Sequence, residues 1–201
     1  MDLRFIDEFE HGFGWAPEGD KLARTSHAVL AGEGVWLTDV LDGAGLDERI
    51  AALGPPVAVI QLLDRHARDN AAVAKRLGVP LHETPMNDVE GAPFVVLPIV
   101  KRRFWREIAL WFAEERILVC ADALGSLGYF RAGDEPFGLH PFLRLFPPKK
   151  LETLEPEHVL FGHGRAFHGP EAPDALRGAL TKPRRRLPQA LFNGLREARR
   201  R

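Results

Sequence analysis

Apolar and polar positions in the first half of the chain alternate in short bursts instead of running in long helical stripes. Ala28-Val29-Leu30 and Val35-Trp36-Leu37 flank Gly32-Glu33-Gly34, which predicts a β-hairpin. Asp47 to Leu53 reads as a short helix, acidic at its start and stopped by Gly54-Pro55-Pro56. The β-branched run Val57-Ala58-Val59-Ile60, continued to Leu63, predicts a buried strand. Ala71 to Leu77 follows as a helix closed by Gly78, and Val79-Pro80-Leu81 as a short strand. In the second half Phe94 to Pro98 is a strand, and Ile108 to Phe112 with Ile117 to Ala121 forms a second hairpin around Ala113-Glu114-Glu115-Arg116. His158 to Phe161 is a last short strand, leading into Gly162-His163-Gly164.

Two segments depart from this pattern. Gly125 to Lys150 carries Tyr129, Phe130, Phe137, Phe142 and Phe146 among Gly and Pro without a clean period. Such a segment is expected to cover something, either as a lid or as the contact of a homodimer. Lys182 to Arg201 places Leu187, Leu191 and Leu195 four residues apart, one face of a short basic helix expected to dock on the body. The organisation expected is one domain over residues 1–181, with 125–150 as the lid or interface insert, and a basic C-terminal segment over 182–201.

Composition narrows the class. A length of 201 residues with 45% hydrophobic and 27% charged content is that of a globular α/β domain with a proper core. The net charge of -1 hides an asymmetry, because eight Lys/Arg against one acid give residues 182–201 a charge of +7 and leave −8 for the rest. An acidic body argues against a broad nucleic-acid face, so nucleic-acid binding through the basic tail or the Lys101-Arg102-Arg103 run ranks third among the functions considered. The single Cys120 cannot form an internal disulfide, and its apolar neighbours make it a small buried hydrophobe. The N-terminus lacks a basic start and an apolar stretch, and no run is long enough to span a bilayer. A cytoplasmic location without membrane association is expected.

The chemistry concentrates at the corner Leu62-Leu63-Asp64-Arg65-His66-Ala67-Arg68-Asp69-Asn70, where a strand feeds a loop that opens a helix. Asp122 ends a later strand, and His163 stands between two glycines after another. With the acidic turn Thr38-Asp39, this order resembles the metallo-β-lactamase fold superfamily over roughly Thr25 to Leu180. The resemblance implies a four-layer αββα sandwich, here with an aromatic insert and a basic C-terminal helix. It also implies a dinuclear metal site built on a Thr-His-x-His-x-Asp-His loop, a Gly-His, a Gly-Asp and a late Gly-His-Gly.

Aligned without a shift, the three histidines of the first metal are replaced by Arg65, Ala67 and, counted back from Asp122, Arg103 or a near neighbour. None of these can ligate, since guanidinium stays protonated and alanine has no donor atom. The second metal's ligands correspond to Asp69, Asn70, Asp122 and His163. Asp69 and Asp122 are expected to converge, with Arg65 and Arg103 supplying the missing positive charge in place of metal. The candidate pocket is therefore Asp64, Arg65, His66, Asp69, Asn70, Arg103, Asp122 and His163, with Asp64 bracing the loop; no catalytic residue is assigned. Asp69 or Asn70 could equally be the N-cap of the following helix. A one-residue shift of the loop would instead bring in His66, making a His66, Asp69, Asp122, His163 ligand set suited to zinc. The leading expectation is a protein without a metal cofactor that binds a small anionic ligand or serves an interaction role. The alternative is a mononuclear hydrolase of esters, thioesters or phosphoesters using one Zn, Mn or Fe ion at Asp69, Asp122 and His163, with His66 or Asn70 as further ligands.

Overall fold

The computed structural model describes residues 1–199; Arg200 and Arg201, the end of the basic segment, lie outside the described residues. The described residues form thirteen strands and four α-helices, with two single 3-10 turns at Pro141–Arg144 and Lys149–Leu151. The first sheet contains β1 (Leu3–Phe9), β2 (Gly12–Pro17), β3 (Ser26–Ala31), β4 (Gly34–Thr38), β5 (Pro56–Gln61) and β6 (Leu81–Glu83) in that spatial order. Its first four strands are antiparallel, and β4, β5 and β6 run parallel. Helices α1 (Leu46–Leu53) and α2 (Asn70–Leu77) make the two crossovers that parallel pairing requires.

The second sheet orders β13 (Phe167–His168), β12 (His158–Leu160), β9 (Ile117–Cys120), β8 (Trp105–Phe112) and β7 (Val95–Arg102). A two-residue ribbon pairs β10 (Leu124–Gly125) with β11 (Gly138–Leu139). The chain closes with α3 (Ala172–Leu180) and α4 (Pro183–Ala198).

Period-2 alternation sorts the side chains into layers. On β4 and β5, Val35, Leu37 and Val59 face Leu46, Ile50, Val73 and Ala74 of α1 and α2. Their neighbours Trp36, Ala58 and Ile60 point the other way, into the core shared with Ile108, Leu110, Phe112 and Leu118 of the second sheet. Leu176 and Ala179 of α3 join that larger cluster. The result is the four-layer αββα sandwich.

Several details differ from what the sequence predicts, beginning with the short strand expected at Val79-Pro80-Leu81, which lies at Leu81–Glu83. Strands β1 and β2 extend the first sheet ahead of the expected hairpin, and β7 runs on to Arg102. The leucine stripe of α4 does not dock: Leu191 is 47% and Leu195 64% exposed, while Ala190 is buried. Polar bonds hold this helix instead. Arg186 pairs with Glu135 at 2.7 Å, Asn193 donates to the Arg131 carbonyl and Arg184 to that of Leu145. Arg144, fully buried, pairs with the same Glu135 at 2.6 Å, so one carboxylate ties the aromatic segment to α4. Among the described residues no helix is long and apolar enough to cross a membrane.

Candidate functional site

Parallel pairing sets the site. Val119 of β9 stands opposite Leu160 of β12, so Asp122 and His163, each three residues further on, leave the same sheet edge side by side. The loop after β5 reaches them because Ile108 N–H bonds to the Leu62 carbonyl and Asp64 N–H to that of Arg106. His163 is fixed by the bridge it forms with Arg24 and by the bond from Thr25 N–H to the Gly162 carbonyl.

At this junction three ligand-type atoms converge. Nε2 of His66 lies 3.3 Å, and Nε2 of His163 3.4 Å, from Oδ1 of Asp122. All three donor atoms fall within 4.8 Å of one another. Both imidazoles are held from behind: His66 Nδ1 donates to Asp39 Oδ2 at 2.7 Å, and His163 Nδ1 donates to the Leu22 carbonyl at 2.8 Å. Those bonds fix the tautomers and turn both Nε2 atoms inward. Asp39 is itself buried, and its Oδ1 accepts from Leu62 N–H at 2.8 Å. Asp122 Oδ1 is sealed from solvent yet has no aligned hydrogen-bond donor.

Charge explains the titration behaviour. Burial disfavours the imidazolium of His66, but Asp39 and Asp122 outweigh it and raise its pKa to about 9. Burial alone would raise Asp122; the proximity and charge of His66 bring it down to about 2. His163 is lowered by burial. Behind Asp122, Glu107 is fully buried and is pushed up to about 8 by burial and by the neighbouring Asp122. Its oxygens accept from Ala123 N–H at 2.5 Å and from Trp105 Nε1 at 2.8 Å.

The candidate residues divide. His66, Asp122 and His163 come together, with Arg65 at their rim: its Nη2 is 4.0 Å from Asp122 Oδ2 and its guanidinium lies 5.2 Å over the Trp105 ring. Asp64 braces the loop, accepting from Arg106 N–H at 2.9 Å with Arg65 3.9 Å away. Asp69 does not converge with Asp122. It sits at the N-cap position of α2, and its carboxylate accepts from Asp42 N–H in a recess shared with Arg76. Asn70 is buried between two backbone groups, accepting from Val40 N–H and donating to the His66 carbonyl. Arg103 is exposed at the turn between β7 and β8.

The arginine that does enter is Arg68. Its Nη1 donates to the Thr25 and Asp39 carbonyls at 2.6 and 2.7 Å, and its Nη2 to that of Gly162 at 3.2 Å. Arg68 and Asp39 both adopt left-handed backbone angles, with φ of 41° and 46°, a conformation uncommon outside glycine that aims each side chain inward. The loop is thus threaded one residue later than the unshifted alignment, presenting His66, Arg68 and Asn70 to the interior. Asp39, Arg68 and Glu107 escaped the candidate set. Asp39 had a signal in its turn position, and Glu107 in being an acid at an inward period-2 position between Trp105 and Ala109.

No protein-family model matches the sequence, and no curated protein matches it. Solved structures do. The metallo-β-lactamase from Pontibacter korlensis superposes with a TM-score of 0.61 at 12% identity, covering 91% of this chain and 99% of that one. The chain has the metallo-β-lactamase fold. The metallo-β-lactamase from Hirschia baltica (TM-score 0.57, 11% identity, 90% and 98% coverage) is similar throughout its length. So is FIM-1 from Pseudomonas aeruginosa, solved in its mono-zinc form (TM-score 0.55, 11% identity, 90% and 96% coverage). Within the metallo-β-lactamase fold of this chain, a single cation fits the residues present. With both imidazoles neutral, two inward Nε2 lone pairs and an undonated carboxylate oxygen repel one another unless positive charge lies between them. A proton on His66 answers one of these contacts; one metal ion would answer all three, with the mixed His and carboxylate donors that zinc accepts.

Proposed function

We propose that the protein holds one divalent metal ion at His66, Asp122 and His163 and acts as a mononuclear hydrolase on an ester, thioester or phosphoester. The observation that carries this reading is the convergence of two tethered Nε2 atoms on the undonated Oδ1 of Asp122. When bound, the ion would supply a Lewis acid to polarise the scissile group and to acidify water. The protein's own residues do the rest. Asp39 and the Leu22 carbonyl hold the imidazoles in register. Arg65, half exposed beside Asp122, is positioned to receive an anionic substrate group, and Trp105 supports its guanidinium from below. Glu107 fixes both Trp105 and the turn that carries Asp122.

A second reading has its own support. The charges of Asp39 and Asp122 act on one inward guanidinium, that of Arg68, with Arg65 only at the rim, so a protonated His66 would balance them. On that reading the pocket binds a ligand without hydrolysing it. The two separate on turnover. Protein loaded with Zn, Mn or Fe should hydrolyse a panel of aryl esters, thioesters and phosphoesters, and His163→Ala and Asp122→Asn should abolish it. Absence of metal-dependent turnover in the wild type would favour the ligand-binding reading.

A further inference from the structure

The rim of the site opens into a groove of about 1030 Å³, at the upper end of the range for small-molecule pockets. Its composition is unusual for a surface. Phe104, Phe142 and Phe146 line it while 79%, 67% and 75% exposed, and Trp105 and Tyr129 continue the aromatic lining. Solvent-facing phenylalanines gathered around one depression mark a surface that spends part of its time covered. Among the described residues the charged lining is wholly basic: Arg65, Lys101, Arg102 and Lys150, with no carboxylate. Burial and the nearby Arg65 lower the pKa of His140, also in the lining, to about 4, so it adds hydrogen-bonding capacity and no charge.

We propose that this groove binds a single-chain amphipathic anion, a fatty-acid-like carboxylate or an alkyl phosphate, as a free monomer in solution. The apolar chain lies on the phenylalanines and the anionic head pairs with the arginine and lysine side chains. Other occupants match the surface less well. A peptide adding to the free edge of β7 meets Pro98, which has no N–H to donate, and a register break between Pro98 and Val100. A second copy of the chain, packed face to face, would bring two basic rims together, because a two-fold interface sets like against like. An anion with an apolar tail satisfies both features at once.

This inference rests on the groove alone. It would supply the substrate class for the proposed hydrolase, since Arg65 belongs to both the groove and the rim of the metal site. The test is isothermal titration of the full chain with dodecanoate and with dodecyl phosphate below their micellar concentrations, with and without chelator. Chelation keeps the readout separate from the metal question. Saturable one-to-one binding is expected, weaker by about tenfold or more for the uncharged dodecyl maltoside. The Lys101→Glu/Arg102→Glu and Phe142→Ala/Phe146→Ala variants, which change exposed side chains and should keep the wild-type circular dichroism, should each weaken binding by about tenfold or more. No saturable binding, equal affinity for the uncharged analogue, or unchanged affinity in both variants would overturn the proposal. So would binding to phosphatidylglycerol vesicles without binding to the monomers, or a concentration-dependent dimer that the phenylalanine variants abolish.

Discussion

Arg68→Met removes the guanidinium from the site while keeping an unbranched apolar stem out to about the position of Nε. Three backbone carbonyls, those of Thr25, Asp39 and Gly162, then lose a charged donor. The pocket also loses the positive charge that opposes Asp39 and Asp122. Losing a donor to a buried acceptor costs about 1–3 kcal/mol, and breaking a fully buried ionic arrangement about 3–5. Arg68 as a whole is only partly buried although its Nε is sealed off, so water relieves some of the loss and the lower end applies, about 3 kcal/mol. At about 2–4 °C per kcal/mol for a chain of this size, the melting temperature should fall by about 10 °C. Arg65→Met is the control. Its guanidinium is half exposed and its ionic contacts are 3.9 and 4.0 Å long, so it should cost less than about 1 kcal/mol. Thermal melts followed by circular dichroism in chelator read both effects. Equal melting temperatures for Arg68→Met and the wild type, or a larger drop for Arg65→Met, would refute the assignment of the internal counter-charge to Arg68.

Three further outcomes follow from the same geometry. His66 has a folded pKa of about 9 against an unfolded value near 6.5, so its contribution is complete below pH 6.5 and is lost as pH rises through 9. In metal-free protein the His66 share of the stability lost between those limits should be about 3 kcal/mol in urea titrations, and His66→Gln should remove that share of the decline. Glu107, raised to about 8 from 4.5, contributes fully below pH 4.5 and loses that contribution by pH 8. Glu107→Gln must set an amide NH₂ against either Trp105 Nε1 or Ala123 N–H, costing about 1–3 kcal/mol at low pH. That cost should shrink as pH rises through 8; a pH-independent difference would mean that Glu107 is ionised in the fold. Finally, Asp39→Asn should leave the fold intact but loosen the His66 ring and weaken metal binding by about 10–100-fold in competition titrations with a chromophoric chelator.

Much of the sandwich can be read from the chain because its strands obey a period of two and its turns carry Gly or Pro. The hairpin around Gly32-Glu33-Gly34 and the strand at Val57 to Ile60 both lie where alternation puts them. Strands β1 and β2 are harder to see, because Gly12, Gly14 and Pro17 imitate loop composition while their neighbours Phe13 and Trp15 supply the buried face. The site follows a different logic. Asp122 and His163 are legible, since each follows a strand whose end is marked by its apolar run. The loop between β5 and α2 is not, because its threading depends on a positive φ at Arg68 and on the Asp39–His66 bond, neither of which residue spacing encodes. A template counted through Asp69 therefore points Arg65 and Ala67 inward, whereas the backbone turns His66 and Arg68 to the pocket. The Leu187, Leu191, Leu195 stripe failed for a related reason: the dock of α4 is specified by Glu135, whose two arginine partners are far apart in sequence.

Metal content measures the central assignment most directly. Protein expressed and purified without chelator should carry close to one equivalent of a divalent transition metal by elemental analysis, and Asp122→Asn and His163→Ala should each bring that near zero while circular dichroism stays that of the folded chain. A wild type that neither retains nor takes up metal at micromolar zinc, or variants that hold as much as the wild type, would contradict a cation centre built on His66, Asp122 and His163.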